Sequence, residues 1–211
     1  MGLLKAQTNI PEKRAALGFR AHSGWAVLVV LAGPMESPIV VERRRIEIAD
    51  PKIAGSKQPY HAAKGLSLKG AEALVSACAN ASARLAAEAV REAIADARQK
   101  GYEISTSCIL TGSGRSIPTL DKILASHPLL HTAEGELFRN AIARACLNHG
   151  LPVVAVKEKD LIARAPKDLG ISGELIDQHL QRMGKAIGPP WRQDEKHASL
   201  AAWIAGSAGS N

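Results

Sequence analysis

Residues 25–32, reading WAVLVVLA, are apolar without a break and rich in β-branched side chains, which predicts a strand buried on both faces. Gly33-Pro34 ends it. A shorter apolar stretch, 15–20, precedes it across a turn at Ala21-His22-Ser23-Gly24. Residues 39–48 follow, where Val40, Val41, Ile46 and Ile48 are interleaved with Glu42, Arg43, Arg45 and Glu47. Strict alternation over 46–48 leaves one face wet, as antiparallel sheets allow. Three antiparallel strands in succession are the simplest account.

The period then changes. Residues 50–69 form a Pro-, Gly- and Lys-rich connection without periodicity. Residues 70–100 are alanine-rich and helical, with Gly101 as the stop. One apolar stripe there joins Leu74, Cys78, Ala81 and Leu85, and a second, rotated one joins Ala86, Val90, Ala93, Ile94 and Ala97. A helix contacted on two sides is central to its fold. Residues 104–110 read as the next strand. A helical stretch over 119–126 is expected to stop at His127, because Pro128 disfavours helix in the residue before it. A helix over about 132–148 carries Phe138, Ala141, Ile142, Ala145 and Cys146 on one face. A short strand over 151–156 and tail helices over 172–187 and from 194 to 206 complete the chain, with Gly188-Pro189-Pro190 between the last two.

The order βββ, then α-β-α-β, predicts an α/β fold: a mixed five-stranded sheet, three antiparallel strands joined to parallel ones, with helices on both faces. One domain over 15–206 is expected, after an N-terminal extension (1–14) and before a flexible tail (207–211). At 211 residues and 46% hydrophobic, the chain can bury a substantial core without staples. Collagen-like, disulfide-framework and disordered classes are excluded. Cys78, Cys108 and Cys146 form no CxxC pair and fall in apolar settings, which suits free thiols in a reducing compartment. Lys5, Glu12, Lys13 and Arg14 interrupt any signal-peptide core, and the longest apolar run, 25–34, is far short of a membrane span. Cytoplasmic localisation without a membrane partner is the expectation. The oligomeric state is left open.

The formal charge of +7 favours a polyanionic partner. The basic residues are scattered except for Arg43-Arg44-Arg45. On a strand these three point alternately to opposite faces and cannot form one patch, so they read as a sheet edge or a solvated face. An aromatic content of 3% argues against a stacking platform for single strands.

Particular strings add a resemblance. Residues 17–27, reading LGFRAHSGWAV, resemble the first hairpin of the RuvC-type resolvase branch of the ribonuclease H-like superfamily. Residues 132–156, closing on GLPVV, are similar to its helix-then-strand segment, and residues 194–204 to its C-terminal helix. The resemblance covers roughly 15–205 in layout. It implies nucleic-acid chemistry in which acidic residues on the first strand, at the end of the fourth strand and on the last helix hold two metal ions. By the same resemblance, Arg20 stands where the first Asp is expected, and Leu110-Thr111-Gly112 offers no acid. Asp194 remains, and His197 takes the second acidic position of the last helix. The implied two-metal chemistry is then absent. No cofactor is expected, and Mg²⁺ would enter only under a different register.

Open α/β sheets place ligands at the carboxyl ends of their parallel strands. That rule selects Arg20, His22 and Ser23 after the first strand, and Gly112, Ser113, Gly114 and Arg115 after the fourth, as an anion or phosphate site. The glycines let backbone N–H groups approach the anion, and Arg115 could clamp it with two donors. The plain alternative is an ordinary exposed turn. His127, His131 and Glu134 have ligand-like spacing for Zn²⁺. A helix ending at His127 would break that spacing, so a helix-entry loop is the favoured reading and no metal is expected. Asp194 reads as an N-cap with Glu195 in the first turn. The sharper alternative pairs it with His197 as a general base, and His22 is a third catalytic candidate. Trp191, after Pro189-Pro190, is expected to pack the tail onto the sheet. The partner is expected to be nucleic acid; a small phosphate or carboxylate metabolite at the same strand ends is the alternative.

Overall fold

The apolar runs pair side by side as their patterns require. In the computed structural model of the chain, residues 13–112, 114 and 116–208 are described. β1 (Lys13–His22), β2 (Trp25–Ala32) and β3 (Ile39–Glu47) form an antiparallel meander. β4 (Tyr102–Thr111) runs parallel to β1, and β5 (Val153–Lys157) parallel to β4. The sheet order is β3-β2-β1-β4-β5, which puts the two most apolar strands, β1 and β2, inside the sheet and the arginine-rich β3 at its edge.

Helices cover both faces. α2 (Leu68–Gln99) and α4 (His127–Asn148) pack Ala86, Val90, Phe138 and Ile142 against Leu17, Phe19, Leu28 and Val30. On the other face, α5 (Leu161–Leu169) and α7 (Gln193–Ala208) set Leu161, Leu200 and Trp203 against Ala16, Leu110 and Val156. α6 (Gly173–Ile187) joins this second layer through Ile176, Leu180 and Met183. α7 lies directly on β1 because residue 18 is glycine. A Cβ there would sit 1.9 Å from the Ala198 carbonyl oxygen and 2.7 Å from the Ala202 nitrogen. That contact sets the height of Asp194 and His197 above the end of β1.

Several expectations are corrected. The first strand spans Lys13–His22, so Ala21 and His22 continue the pairing and only Ser23-Gly24 turn. The aperiodic connection contains a one-turn helix, α1 (Pro59–Ala63). α2 buries one continuous stripe rather than two: Ala71, Cys78, Ser82, Ala86, Val90, Ala93 and Ala97. α3 (Leu120–Leu124) ends early, and Pro128 lies in the first turn of α4, where a missing N–H costs nothing. The proline therefore marks the start of α4 at His127. α5 was not anticipated.

Asp194 is not the cap of α7. The helix begins at Gln193, and the Arg192 backbone N–H donates to Glu195 Oε2 at 2.7 Å, the reach-back half of a capping box. This leaves Asp194 free for other partners. The arginine triplet does alternate. Arg43 donates to the carbonyls of Gly188 (2.8 Å), Pro189 (2.7 Å) and Pro190, clipping the α6–α7 connection, while Arg44 turns to Asp96 and Glu42 on the α2 side. Trp191 packs on Gly184, where a Cβ would lie 2.3 Å from the indole. All three cysteines are free and buried, and burial pushes the Cys108 thiol up to about 12 and the Cys146 thiol up to about 11. No described helix is long and apolar enough to cross a membrane.

Candidate strand-end site

β1 and β5 end beside the first turn of α7, and their terminal side chains meet there. Arg20 reaches out of β1 with its side chain only 15% exposed. Its Nε and one terminal nitrogen donate to Glu158 Oε1 at 2.8 and 2.6 Å, and its other terminal nitrogen donates to Asp194 Oδ1. One guanidinium thus joins two carboxylates from elements 138 and 174 residues away. His22 Nε2 lies 2.9 Å from the same Asp194 oxygen. A carboxylate can only accept, so Nε2 carries the proton.

The His22 ring stacks on Trp25 at 4.1 Å between centroids, and Arg45 Cζ lies 3.8 Å from the Trp25 ring centre. These contacts fix the imidazole in plane. His197 Nδ1 faces Glu158 Oε1 at 3.7 Å, beyond hydrogen-bond reach, and is buried without another partner among the described residues. Burial, and then the nearby Arg20 charge, hold the His197 imidazole below its usual range.

Of the residues that follow β4, Gly112 and Gly114 are described. Ser113 and Arg115 fall outside the described residues, so the anion contacts expected of them are not described. Gly112 sits over Arg139 of α4: a Cβ at Gly112 would be 3.0 Å from a guanidinium nitrogen that pairs with Glu136 at 2.9 Å. Gly114 has φ +68°, and a Cβ there would lie 3.6 Å from Lys157 Cε, one residue from Glu158. Ser23 is exposed in the β1–β2 turn.

A two-metal centre needs carboxylate oxygens free to face the ions. The two carboxylates present, Glu158 and Asp194, both face Arg20, with His22 on Asp194 as well. A divalent ion between them would meet a guanidinium already within hydrogen-bond distance. This donor set does not fit the ion pair.

Glu158 was missed from sequence, although the strand-end rule that singled out Arg20 applies equally to the residue following β5. Arg139 was also missed; its position opposite Gly112 depends on how α4 packs.

The zinc-like spacing resolves differently. His127 and His131 do lie on one face of α4, their Nε2 atoms 3.2 Å apart. Glu134 is turned inward and is 1% exposed. It accepts from His61 of α1, through the backbone N–H (3.1 Å) and Nδ1 (2.8 Å). His61 was not among the expected residues.

Compared by sequence, the chain matches no protein-family model and no curated protein. By structure it is similar to RuvC of T. thermophilus in complex with a Holliday junction substrate: 10% identity, 93% of this chain and 94% of that one covered, TM-score 0.54. A second structure of Thermus thermophilus RuvC matches at 10% identity over 92% of this chain and 95% of that one, TM-score 0.50. What such distant chains share is the arrangement of the mixed sheet and its covering helices, and this chain has a RuvC-like, ribonuclease H-like α/β fold.

Proposed function

We propose that this chain is a nucleic-acid-binding RuvC-like domain in which Arg20 takes the place of a metal ion between the strand-end carboxylates, so that it holds its partner without two-metal cleavage. The observation that carries this reading is the single guanidinium bound to both Glu158 and Asp194. Neutralised carboxylates no longer repel a phosphodiester, and the net charge of +7 supplies long-range attraction. The neighbour bound to a Holliday junction substrate makes branched DNA the first ligand to try. We assign the phosphate contact to the 112–115 segment, with Arg115 as the clamp; of its described residues, Gly112 approaches Arg139 and Gly114 approaches Lys157.

The test is fluorescence anisotropy with four-way-junction, duplex and single-stranded DNA at low and moderate salt, run for the wild type and Arg115→Ala, with Mg²⁺ present and products resolved on a gel. The expected result is uncut DNA and an affinity that falls steeply with salt, with Arg115→Ala lowering the log–log salt slope by about one. Cleavage in Mg²⁺ would overturn the cation-substituted reading. Salt-insensitive binding, or none at low salt, would overturn the nucleic-acid reading and leave the small anionic metabolite as the ligand to pursue.

A further inference from the structure

We infer that His61, His127 and His131 form a Zn²⁺ site on the α1–α4 surface, with Glu134 holding His61 from behind. Three observations meet there, and none depends on the nucleic-acid reading.

The first is convergence. α1 and α4 lie far apart in sequence, yet one ligating nitrogen from each of the three imidazoles lies within 4.8 Å of the others. His127 and His131 are spaced i, i+4 on the first turns of α4, which sets both rings on one face. Their Nε2 atoms are 3.2 Å apart. Zinc–nitrogen bonds of 2.0–2.1 Å at a tetrahedral angle separate two ligand nitrogens by about 3.3 Å, so this pair already has the spacing of one tetrahedral edge. The rings meet edge to face or tilted, at centroid separations of 4.6, 4.7 and 5.3 Å, rather than stacking.

The second is orientation. Glu134 Oε1 accepts from His61 Nδ1 at 2.8 Å. This fixes the Nδ1–H tautomer and leaves Nε2 with its lone pair free to bind a cation. A carboxylate behind a ligand histidine is the arrangement that orients metal-bound imidazoles and raises their basicity.

The third is an unbalanced charge. Glu134 is 1% exposed, beside the apolar cluster of Ile123, Leu130 and Ala133, and its Oε2 is buried without a partner among the described residues. A buried carboxylate with one imidazole for company is costly, and positive charge placed on that imidazole by a metal compensates it. The positive end of the α4 dipole opposes any cation there, and Glu134 offsets it. Three neutral nitrogen donors without a thiolate suit Zn²⁺ and not Mg²⁺ or Ca²⁺, which prefer oxygen. With three protein ligands, a fourth position is left for water, and the ion ties the aperiodic segment carrying α1 to α4.

The test uses the tag-free full chain, stripped with a chelator and titrated with Zn²⁺ by calorimetry and by competition with a chromophoric chelator, with Mg²⁺ as control. One equivalent per chain is expected. Since His127 and His131 are exposed, His127→Gln and His131→Gln should keep the native circular-dichroism spectrum while weakening Zn²⁺ at least tenfold. Glu134→Gln, as the outer partner, should weaken it by about 10- to 100-fold at unchanged stoichiometry. The inference is overturned if the wild type takes up no stoichiometric Zn²⁺, or if the folded His127→Gln, His131→Gln double variant binds it as well as the wild type does. In either case the 3.2 Å contact is an ordinary hydrogen bond between two imidazoles.

Discussion

At the ends of β1 and β5, two carboxylates meet one guanidinium; beside α4, one carboxylate meets three imidazoles. The strand-end cluster contains its own cation. Arg20 is carried on the rigid inner strand of the sheet, and Glu158 and Asp194 approach it from other elements, so the positive charge is covalently part of the site. The histidine cluster has its donors turned outward and its acid buried behind them, with no permanent cation facing Glu134 among the described residues. A fold that supplies its own positive charge leaves no room for a foreign one. A fold that presents imidazole nitrogens around a point, backed by a buried negative charge, has the donor arrangement that suits an added cation.

The largest expected effect separates the two regions. Gly18→Ala would drive a Cβ into the α7 backbone at the Ala198 carbonyl, where neither backbone can rotate away. A loss of about 3 kcal/mol is expected in a urea melt, the upper end of the usual cost of overpacking. Gly206→Ala is the control, since its Cβ would make an ordinary 3.8 Å contact with Ala16. Because α7 carries Asp194 and His197 but no part of the histidine cluster, Zn²⁺ uptake by whatever Gly18→Ala folds should match the wild type. Gly18→Ala with the stability of the control would show that β1 and α7 do not meet as closely as described.

Next is Arg20→Ala, which leaves Glu158 and Asp194 facing each other without their cation. A loss of about 1–3 kcal/mol is expected, the range for removing charged hydrogen-bond partners from a partly buried site. The sharper readout is the response to divalent ions. Millimolar Mg²⁺ or Mn²⁺ should raise the melting temperature of Arg20→Ala, since an ion bound only by the native state stabilises it by mass action, and leave the wild type unmoved. Equal shifts in both proteins would mean that Arg20 does not fill a cation's place.

The sheet was legible because strand burial leaves an uninterrupted sign: WAVLVVLA on β2, and the alternation at the end of β3. The strand-end rule singled out Arg20 and His22, and the fold does bring both onto Asp194 at the end of β1. Glu158 was open to the same rule. His61 was not, because it lies on a five-residue helix in a segment with no period, and its partners are 66 or more residues away. Pro128 misled for a definable reason. The restriction that proline places on the residue before it opposes helix continuation, but His127 is where α4 begins, and a first-turn proline satisfies both facts. The misplaced start hid the i, i+4 geometry of His127 and His131. Asp194 read as a cap for a similar reason. The helix starts one residue earlier, so Glu195 reaches back to the cap position and Asp194 points to Arg20.

The smallest effect is a pH dependence at the strand ends. His197 faces Arg20 from β1, Glu158 from the turn after β5 and Asp194 from its own helix. Burial, and then Arg20, hold its imidazole below the ordinary 6.5. The folded chain therefore binds a proton there less readily than the unfolded chain. Stability from this group is complete above about pH 6.5 and declines as pH falls from there to the lowered folded value, with a limiting slope of about 1.4 kcal/mol per pH unit. His179, lowered by burial and by Arg182, adds a decline of the same sign. In urea melts at about pH 7.5 and about pH 5.5, His197→Gln should lose less stability between the two than the wild type, keeping only the share from His179 and the remaining titrating groups. The ordering matters, because Arg20 is one of the groups pushing His197 down. In the Arg20→Ala background the change that His197→Gln makes to the pH profile should shrink, coupling the two positions as neighbours in one network. If the pH profiles of wild type and His197→Gln superimpose, the imidazole is not held between Arg20 and Glu158 as described, and the strand-end cluster is more open than its fixed cation implies.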